Sequence, residues 1–147
     1  MKKVLIFGAS GLLGSRFFEL LNLEQKYNVW GTYKSKLPFN SHPNLVCLDI
    51  LHSDRVTSII SDLKPDLVIN CVGLTNIEYC ESHKELALVT NVDFPTQLSR
   101  LSSEYNFKYL HFGSDNFKTI DNSVRDESCE PIAVNHYGVT KFLAEKQ

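Results

Sequence analysis

Val4-Leu5-Ile6-Phe7-Gly8-Ala9-Ser10-Gly11-Leu12-Leu13-Gly14 decides the fold of this chain. Lys3 to Phe7 is an apolar run behind a lysine, bounded by Gly8, and predicts a buried strand. Leu12 to Leu23 predicts a helix, with Leu13, Phe17, Leu20 and Leu21 on one side. A strand that runs through a glycine-bearing turn into a helix suits a dinucleotide. Glycine permits the tight turn, close backbone approach to a pyrophosphate, and close helix–strand packing. The amides at the helix N-terminus would face the phosphates. Gly8, Ser10, Gly11, Leu12, Leu13 and Gly14 are therefore candidate cofactor contacts. The spacing is G-x-x-G-x-x-G rather than G-x-G-x-x-G, and a plain turn is the competing reading.

The pattern repeats along the chain. Asn28 to Tyr33 predicts a second strand and Leu45 to Ile50 a third. Pro38 and Pro43 between them argue for an extended loop instead of a crossover helix. Ser53 is the expected N-cap of a helix to about Leu63, with Pro65 beyond it. Leu67 to Val72 predicts a fourth strand. A long helical stretch covers Lys84 to Tyr105, where Pro95 is expected to kink or divide it. Lys108 to Phe112 predicts a fifth strand, Lys118 to Pro131 a surface loop, and Asn135 the start of a last helix. Strands alternating with helices imply a Rossmann-type α/β fold: a doubly wound parallel sheet of about five strands. Such sheets bind ligands beyond the C-terminal strand ends.

The later strand ends extend the cofactor reading. Where NAD-binding proteins place an acid on the ribose 2′-hydroxyl, this chain has Thr32-Tyr33-Lys34-Ser35-Lys36. A basic, hydroxyl-bearing segment suits a 2′-phosphate, so NADP(H) is favoured over NAD(H), with Lys34 a candidate contact. Solvated lysines are the competing reading. Asp49, followed by Ile50, is placed to accept from the adenine amino group. Cys71, Val72 and Gly73 would bring backbone close to the middle of the cofactor.

Tyr137-Gly-Val-Thr-Lys141 supplies the candidate chemistry. A Tyr and a Lys four apart share one helix face. A neighbouring ammonium favours the phenolate, which brings a phenol toward acid/base work near neutral pH. Ser114 follows the fifth strand, where its hydroxyl could hold a substrate carbonyl oxygen while Tyr137 donates or removes the proton. Lys141 would also bind the nicotinamide ribose. A Ser-His-Asp hydrolase from Ser114, His111 or His136, and Asp115 is disfavoured. Ser114 sits in no G-x-S-x-G elbow, and that reading leaves the glycine loop unexplained.

Together these residues resemble an extended short-chain dehydrogenase/reductase, of the dTDP-4-dehydrorhamnose reductase-like branch. The matches are Gly8, Gly11 and Gly14; Asp49-Ile50; Asn70-Cys71-Val72-Gly73-Leu74-Thr75-Asn76-Ile77-Glu78-Tyr79-Cys80-Glu81; Asn91-Val92; Ser114-Asp115; Glu127; Pro131; Asn135; Tyr137-Gly138; and Lys141. The resemblance implies reduction of a 4-keto nucleotide-sugar, as in dTDP-rhamnose and polysaccharide biosynthesis. Tyr137 would be the general acid, Lys141 its activator and Ser114 the carbonyl-orienting hydroxyl. Asn91 would support the cofactor site through structure or bound water, a buried helix asparagine being an equal reading. Thr75, Asn76 and Glu78 would line the substrate pocket. Gly113 and Asn116 depart from the branch, which usually has Ser or Thr and an aromatic there. The resemblance also implies about as many residues again beyond Lys141, carrying most of the sugar-nucleotide pocket. On that basis residues 1–147 are expected to be an NAD(P)-binding domain whose sheet is truncated on the C-terminal side. A homo-oligomer, or association through the surface so exposed, is then expected. An NAD-dependent nucleotide-sugar epimerase or dehydratase, and a non-catalytic NAD(P)-binding regulatory module, are the competing functions.

Composition sets bounds. With 147 residues and a formal net charge of −2, the chain has one domain's length and no bias toward nucleic acid or an anionic membrane. The four cysteines form no C-x-x-C and stand at no zinc-like spacing, so no metal is expected. Cys47 and Cys71 lie in apolar runs and read as buried hydrophobes, which fits a reducing cytoplasm. Met1-Lys2-Lys3 and the apolar stretch after it look like a signal peptide, but the glycines and Arg16 argue against one.

Overall fold

Val4, Leu5, Ile6 and Phe7 are each 1% exposed or less, because β1 (Lys2–Phe7) is the middle strand of a parallel sheet covered on both faces. The computed structural model describes residues 1–35, 42–118 and 132–147. The sheet adds β2 (Tyr27–Tyr33), β3 (Leu45–Cys47), β4 (Leu67–Asn70) and β5 (Lys108–His111) in the order β3-β2-β1-β4-β5. The order reverses between β1 and β4, where Val4 pairs with Leu67 and Phe7 with Asn70. This is the expected doubly wound α/β fold.

The chain divides into two compact units. The first, Met1–Val72 with Gln97–Phe112, holds the sheet. Helix α1 (Leu12–Leu23) has the expected bounds but a different buried face. Gly14, Ser15 and Phe18 are buried, with Phe17 and Leu21 packed beside them against Val4, Ile6 and Val29. Leu13 and Leu20 are exposed, contrary to expectation, because the apolar stripe follows positions 14, 17, 18 and 21. Helix α2 (Ser53–Leu63) buries Val56 and Ile60. Its N-cap is His52, and Ser53 is the first helical residue, so the expected cap is displaced by one. The Ser53 hydroxyl instead accepts from Gln97 Nε2 at 2.9 Å.

β3 stops at Cys47, short of the expected Ile50. Leu48 N–H still donates to Tyr33 O at 2.8 Å, and His52 N–H then closes a turn onto Asp49 O. As β3 is an edge strand, Cys47 is exposed; Cys71, just past the end of β4, is only half-buried, so neither is the buried hydrophobe expected. Among the described residues, the fully buried cysteine is Cys80. β4 and β5 likewise end early, at Asn70 and His111.

The second unit is Gly73–Thr96 with Gly113–Gln147. It contains α3 (Ile77–Ser82), which the sequence pattern did not predict, and α4 (Lys84–Leu88). A π turn, Val89–Asp93, separates α4 from α5 (Phe94–Tyr105). Pro95 lacks an N–H and crowds the carbonyl four residues back, so the helix widens just before it. The Phe94 N–H reaches Val89 O, five residues back. A short antiparallel pair, β6 (Phe117–Lys118) and β7 (Ile132–Ala133), precedes α6 (His136–Glu145). Asn135 is the N-cap expected, and its side chain accepts from Gly138 N–H at 2.8 Å. Lys36, Pro38, Glu127, Cys129, Pro131 and nearly all of the predicted 118–131 loop lie outside the described residues. Among the described residues, no helix is long and apolar enough to cross a membrane.

Candidate active site

The cofactor candidates lie mostly in the first unit. Gly8 ends β1 with φ +81, a conformation that favours glycine, and its N–H donates to Thr32 Oγ1 at 3.3 Å. Ala9 N–H donates to Thr32 O at 2.7 Å and Gly11 N–H to Gly8 O at 3.0 Å, so the turn is tied to β2 and to itself. A Cβ on Gly14 would overlap the Gly8 carbonyl oxygen and stand 2.8 Å from its carbon. α1 therefore approaches β1 as closely as glycine alone allows. No side chain caps α1 at Gly11, and no acid stands in its first turn. Ser10, Gly11, Leu12 and Leu13 are exposed, and Leu12 is 91% so. An open, acid-free helix N-terminus with a glycine entry fits a pyrophosphate.

Cys71 and Val72 pack beside this turn: a Cβ on Gly8 would lie 3.0 Å from Val72 Cγ2 and 3.1 Å from the Cys71 carbonyl carbon. Burial pushes the Cys71 thiol up to about 11, so it is not a thiolate nucleophile at neutral pH.

Lys34 and Asp49 meet. Lys34 Nζ stands 2.9 Å from Asp49 Oδ2, and Asp49 Oδ1 accepts from Leu51 N–H at 3.2 Å. Burial works against the Asp49 carboxylate, but the Lys34 ammonium and the Leu51 amide outweigh it and hold the carboxyl below its ordinary value. Sequence spacing treats these two residues separately, whereas the fold pairs them. Ile50 follows, partly buried.

The catalytic candidates lie in the second unit. Tyr137 sits half-buried in the first turn of α6, and Lys141 one turn later is 8% exposed. Burial lowers the lysine's pKa from its ordinary value, opposed by the Glu145 carboxylate one turn further on. Ser114 Oγ accepts from Asn116 N–H at 3.2 Å, which leaves the hydroxyl its own proton to donate. Asn135, besides capping α6, donates from Nδ2 to Asn116 Oδ1 at 3.2 Å. The loop after β5 and the start of α6 are thus joined through amide side chains.

Two side chains support α6: Glu81, which the sequence does not single out as a site residue, and Asn91, which the resemblance names as a support of the site. Glu81 Oε1 accepts from His136 N–H, the first amide of α6, at 2.6 Å. Asn91, in the π turn, is 1% exposed and bonded in full view of the helix: Oδ1 accepts from Leu74 N–H at 2.8 Å, and Nδ2 donates to Leu74 O and to Thr140 Oγ1, each at 3.0 Å. Its amide joins the segment after β4 to α6 directly. Replacing Asn91 with alanine would remove all three of these bonds and leave the Leu74 N–H without its acceptor, while Leu74 O keeps Cys80 Sγ and Thr140 Oγ1 keeps Tyr137 O. The expected cost is about 2–3 kcal/mol, read as a fall in the urea midpoint; a loss below about 0.5 kcal/mol would mean that these groups find other partners.

Gly73, Thr75, Asn76, Glu78, Tyr79 and Ser82 line a cavity of about 540 Å³ in this unit, which brings the three substrate candidates together. Asn76 Oδ1 is engaged as the cap of α3, accepting from Tyr79 N–H at 2.8 Å. Tyr79 stacks on His83 with ring centroids 4.0 Å apart.

A family model described as the RmlD substrate binding domain matches residues 1–147. The probable low-salt glycan biosynthesis reductase Agl14 of Haloferax volcanii is 33% identical over 141 residues, covering 95% of this chain and 46% of the relative. Methionine adenosyltransferase 2 subunit beta of Xenopus laevis is 30% identical over 146 residues, covering 99% and 42%. The chain thus spans less than half the length of these relatives. Among solved structures, dTDP-4-dehydrorhamnose reductase from Bacillus anthracis in complex with NADP superposes with a TM-score of 0.83 at 28% identity, over 99% of this chain and 49% of that one. The Bordetella bronchiseptica enzyme WbmH in complex with NAD+ gives 0.81 at 27%, over 99% and 51%.

Proposed function

We propose that this chain, which belongs to the RmlD substrate binding domain family, carries the cofactor-binding and proton-transfer parts of an NADPH-dependent reductase of a 4-keto nucleotide-sugar. The observation that carries the reading is α6: Tyr137 in its first turn, Lys141 buried one turn later, and Ser114 on a loop hydrogen-bonded to the same helix. A nicotinamide dinucleotide, when bound, would supply the hydride. Ser114 donates to the ketone oxygen, and Tyr137 gives that oxygen its proton as negative charge develops there. Lys141, one turn further along the same helix, is the activator of Tyr137 in this reading. Residues 1–147 form the dinucleotide-binding domain in this reading. Thr75, Asn76 and Glu78 face the nucleotide-sugar, and the free thiols Cys47, Cys71 and Cys80 suit the cytoplasm.

The test is a titration of NADPH fluorescence with the chain, followed by NADPH consumption with a dTDP-4-keto-sugar. Saturable binding and net consumption support the reading, and an unchanged signal at millimolar cofactor sinks it. The NAD+ complex of WbmH supports a second reading, an epimerase or dehydratase with tightly held NAD. Retained NAD without net oxidation would favour it.

Cofactor preference rests on Lys34. In trading Asp49 for a 2′-phosphate it would add a charge-assisted hydrogen bond that NADH cannot offer. Lys34→Ala is expected to weaken NADPH about tenfold and to leave NADH unchanged in parallel titrations. An equal change for both cofactors would remove Lys34 from the phosphate site.

A further inference from the structure

Glu145 lies one turn after Lys141 and two turns after Tyr137 on α6, so the three side chains share a face. Its Oε1 accepts from the Ser114 N–H at 3.3 Å. The same carboxylate fills the space beside Gly113. A Cβ there would overlap Glu145 Oε1 and lie 3.2 Å from its Cδ. Two successive residues of the loop after β5 thus converge on one carboxylate. Its negative charge also acts on Lys141, opposing the effect of burial on that ammonium.

We propose that Glu145 is a positioning residue that ties the Ser114 loop to the helix bearing Tyr137 and Lys141, and that Gly113 is kept small to admit it. The roles of Ser114, Tyr137 and Lys141 rest on the reductase reading, but the tie itself does not. A hydroxyl that orients a ketone must be held within a fraction of an ångström of the group that protonates it. Here the Ser114 loop and the proton donor are far apart in sequence, and a carboxylate from the donor's own helix closes that gap.

The test uses the ¹⁵N-labelled chain and the exchange rate of the Ser114 amide. Glu145→Ala removes the acceptor, and the amide is expected to exchange about tenfold faster. Glu145→Gln keeps an acceptor oxygen in place and is expected to stay within about threefold of the parent. Gly113→Ala displaces the carboxylate and is expected to accelerate exchange as Glu145→Ala does. Added to Glu145→Ala it should do nothing more, since both changes break one contact. Unchanged exchange in Glu145→Ala overturns the tie, and additive effects of the two changes overturn the shared space. Urea unfolding of each variant separates this local opening from global loss of structure. With NADPH and a 4-keto nucleotide-sugar, Gln at 145 should restore most of the turnover that Ala removes. If no variant and no parent turns over, the reductase reading falls while the exchange results still decide the tie.

Discussion

Gly14→Val is expected to abolish NADP(H) binding. A Cβ at this position overlaps the Gly8 carbonyl oxygen and stands 2.8 Å from the Gly8 carbonyl carbon and 3.1 Å from Ala9 Cα. All three are backbone atoms and cannot rotate aside. Either α1 moves off β1 or the turn deforms, and the turn is held by the Gly11 N–H bond to that same carbonyl. Both outcomes re-aim the amides at the open end of α1. A loss above about 100-fold in affinity is expected, equal to about 2.7 kcal/mol. Overpacking should also reduce stability by about 1–3 kcal/mol, visible as a lower urea midpoint. Titration of NADPH fluorescence with the folded variant checks the claim, and affinity within threefold of the parent would contradict it.

Tyr137→Phe should lower ketone reduction by about 100- to 10,000-fold, the range for loss of a positioned proton donor. Phenylalanine keeps the ring, and the bond from Thr140 Oγ1 to the backbone oxygen of residue 137 at 2.8 Å does not involve the hydroxyl. The variant should therefore fold normally. NADPH affinity should change by no more than a few-fold, since the proposed phosphate contacts do not include Tyr137. A fall in turnover with cofactor affinity preserved identifies a transition-state role. Loss of both together would instead place the Tyr137 hydroxyl in cofactor binding, and unchanged turnover would remove it from the chemistry.

The parts legible in the sequence are those set by local pattern. β1 and α1 could be read because a continuous apolar run meets glycines and then a helical period, and Asn135 could be read as a cap because its side chain needs only the amide three residues on. The rest is decided by tertiary context. Several leucines sit on the exposed side of α1 and obscure its apolar face, and Leu48, Ile50 and Leu51 continue an apolar pattern after β3 has ended. α3 is six residues long, too short for periodicity, although Asn76 three residues before Tyr79 is a cap signature. Pro95 signalled a break, but not that the break would be a π turn placing Asn91 between Leu74 and Thr140.

The site divides the same way. Glycines, Asp49, Ser114, Tyr137 and Lys141 were candidates because their chemistry is recognisable from type and spacing. Glu81, Thr140 and Glu145 were not, because ordinary glutamates and threonines become supports only when distant segments meet. The spacing 137, 141, 145 was available as a signal for Glu145. Spacing does not pair Lys34 with Asp49, because each residue by itself suits a ligand group and only the fold brings them together.

The placement of β1 between β2 and β4 also governs the order in which the chain can fold during synthesis. Its partners on one side begin at Tyr27, but those on the other begin at Leu67, 63 residues after Val4. At about 5–20 residues per second, one edge of Val4–Phe7 waits several seconds for its hydrogen bonds. During that interval the run is an apolar strand with an open edge, the form most prone to pair with another chain. The lysines at positions 2 and 3, at the head of that strand, place positive charge beside it, where like-charge repulsion between nascent copies works against such pairing.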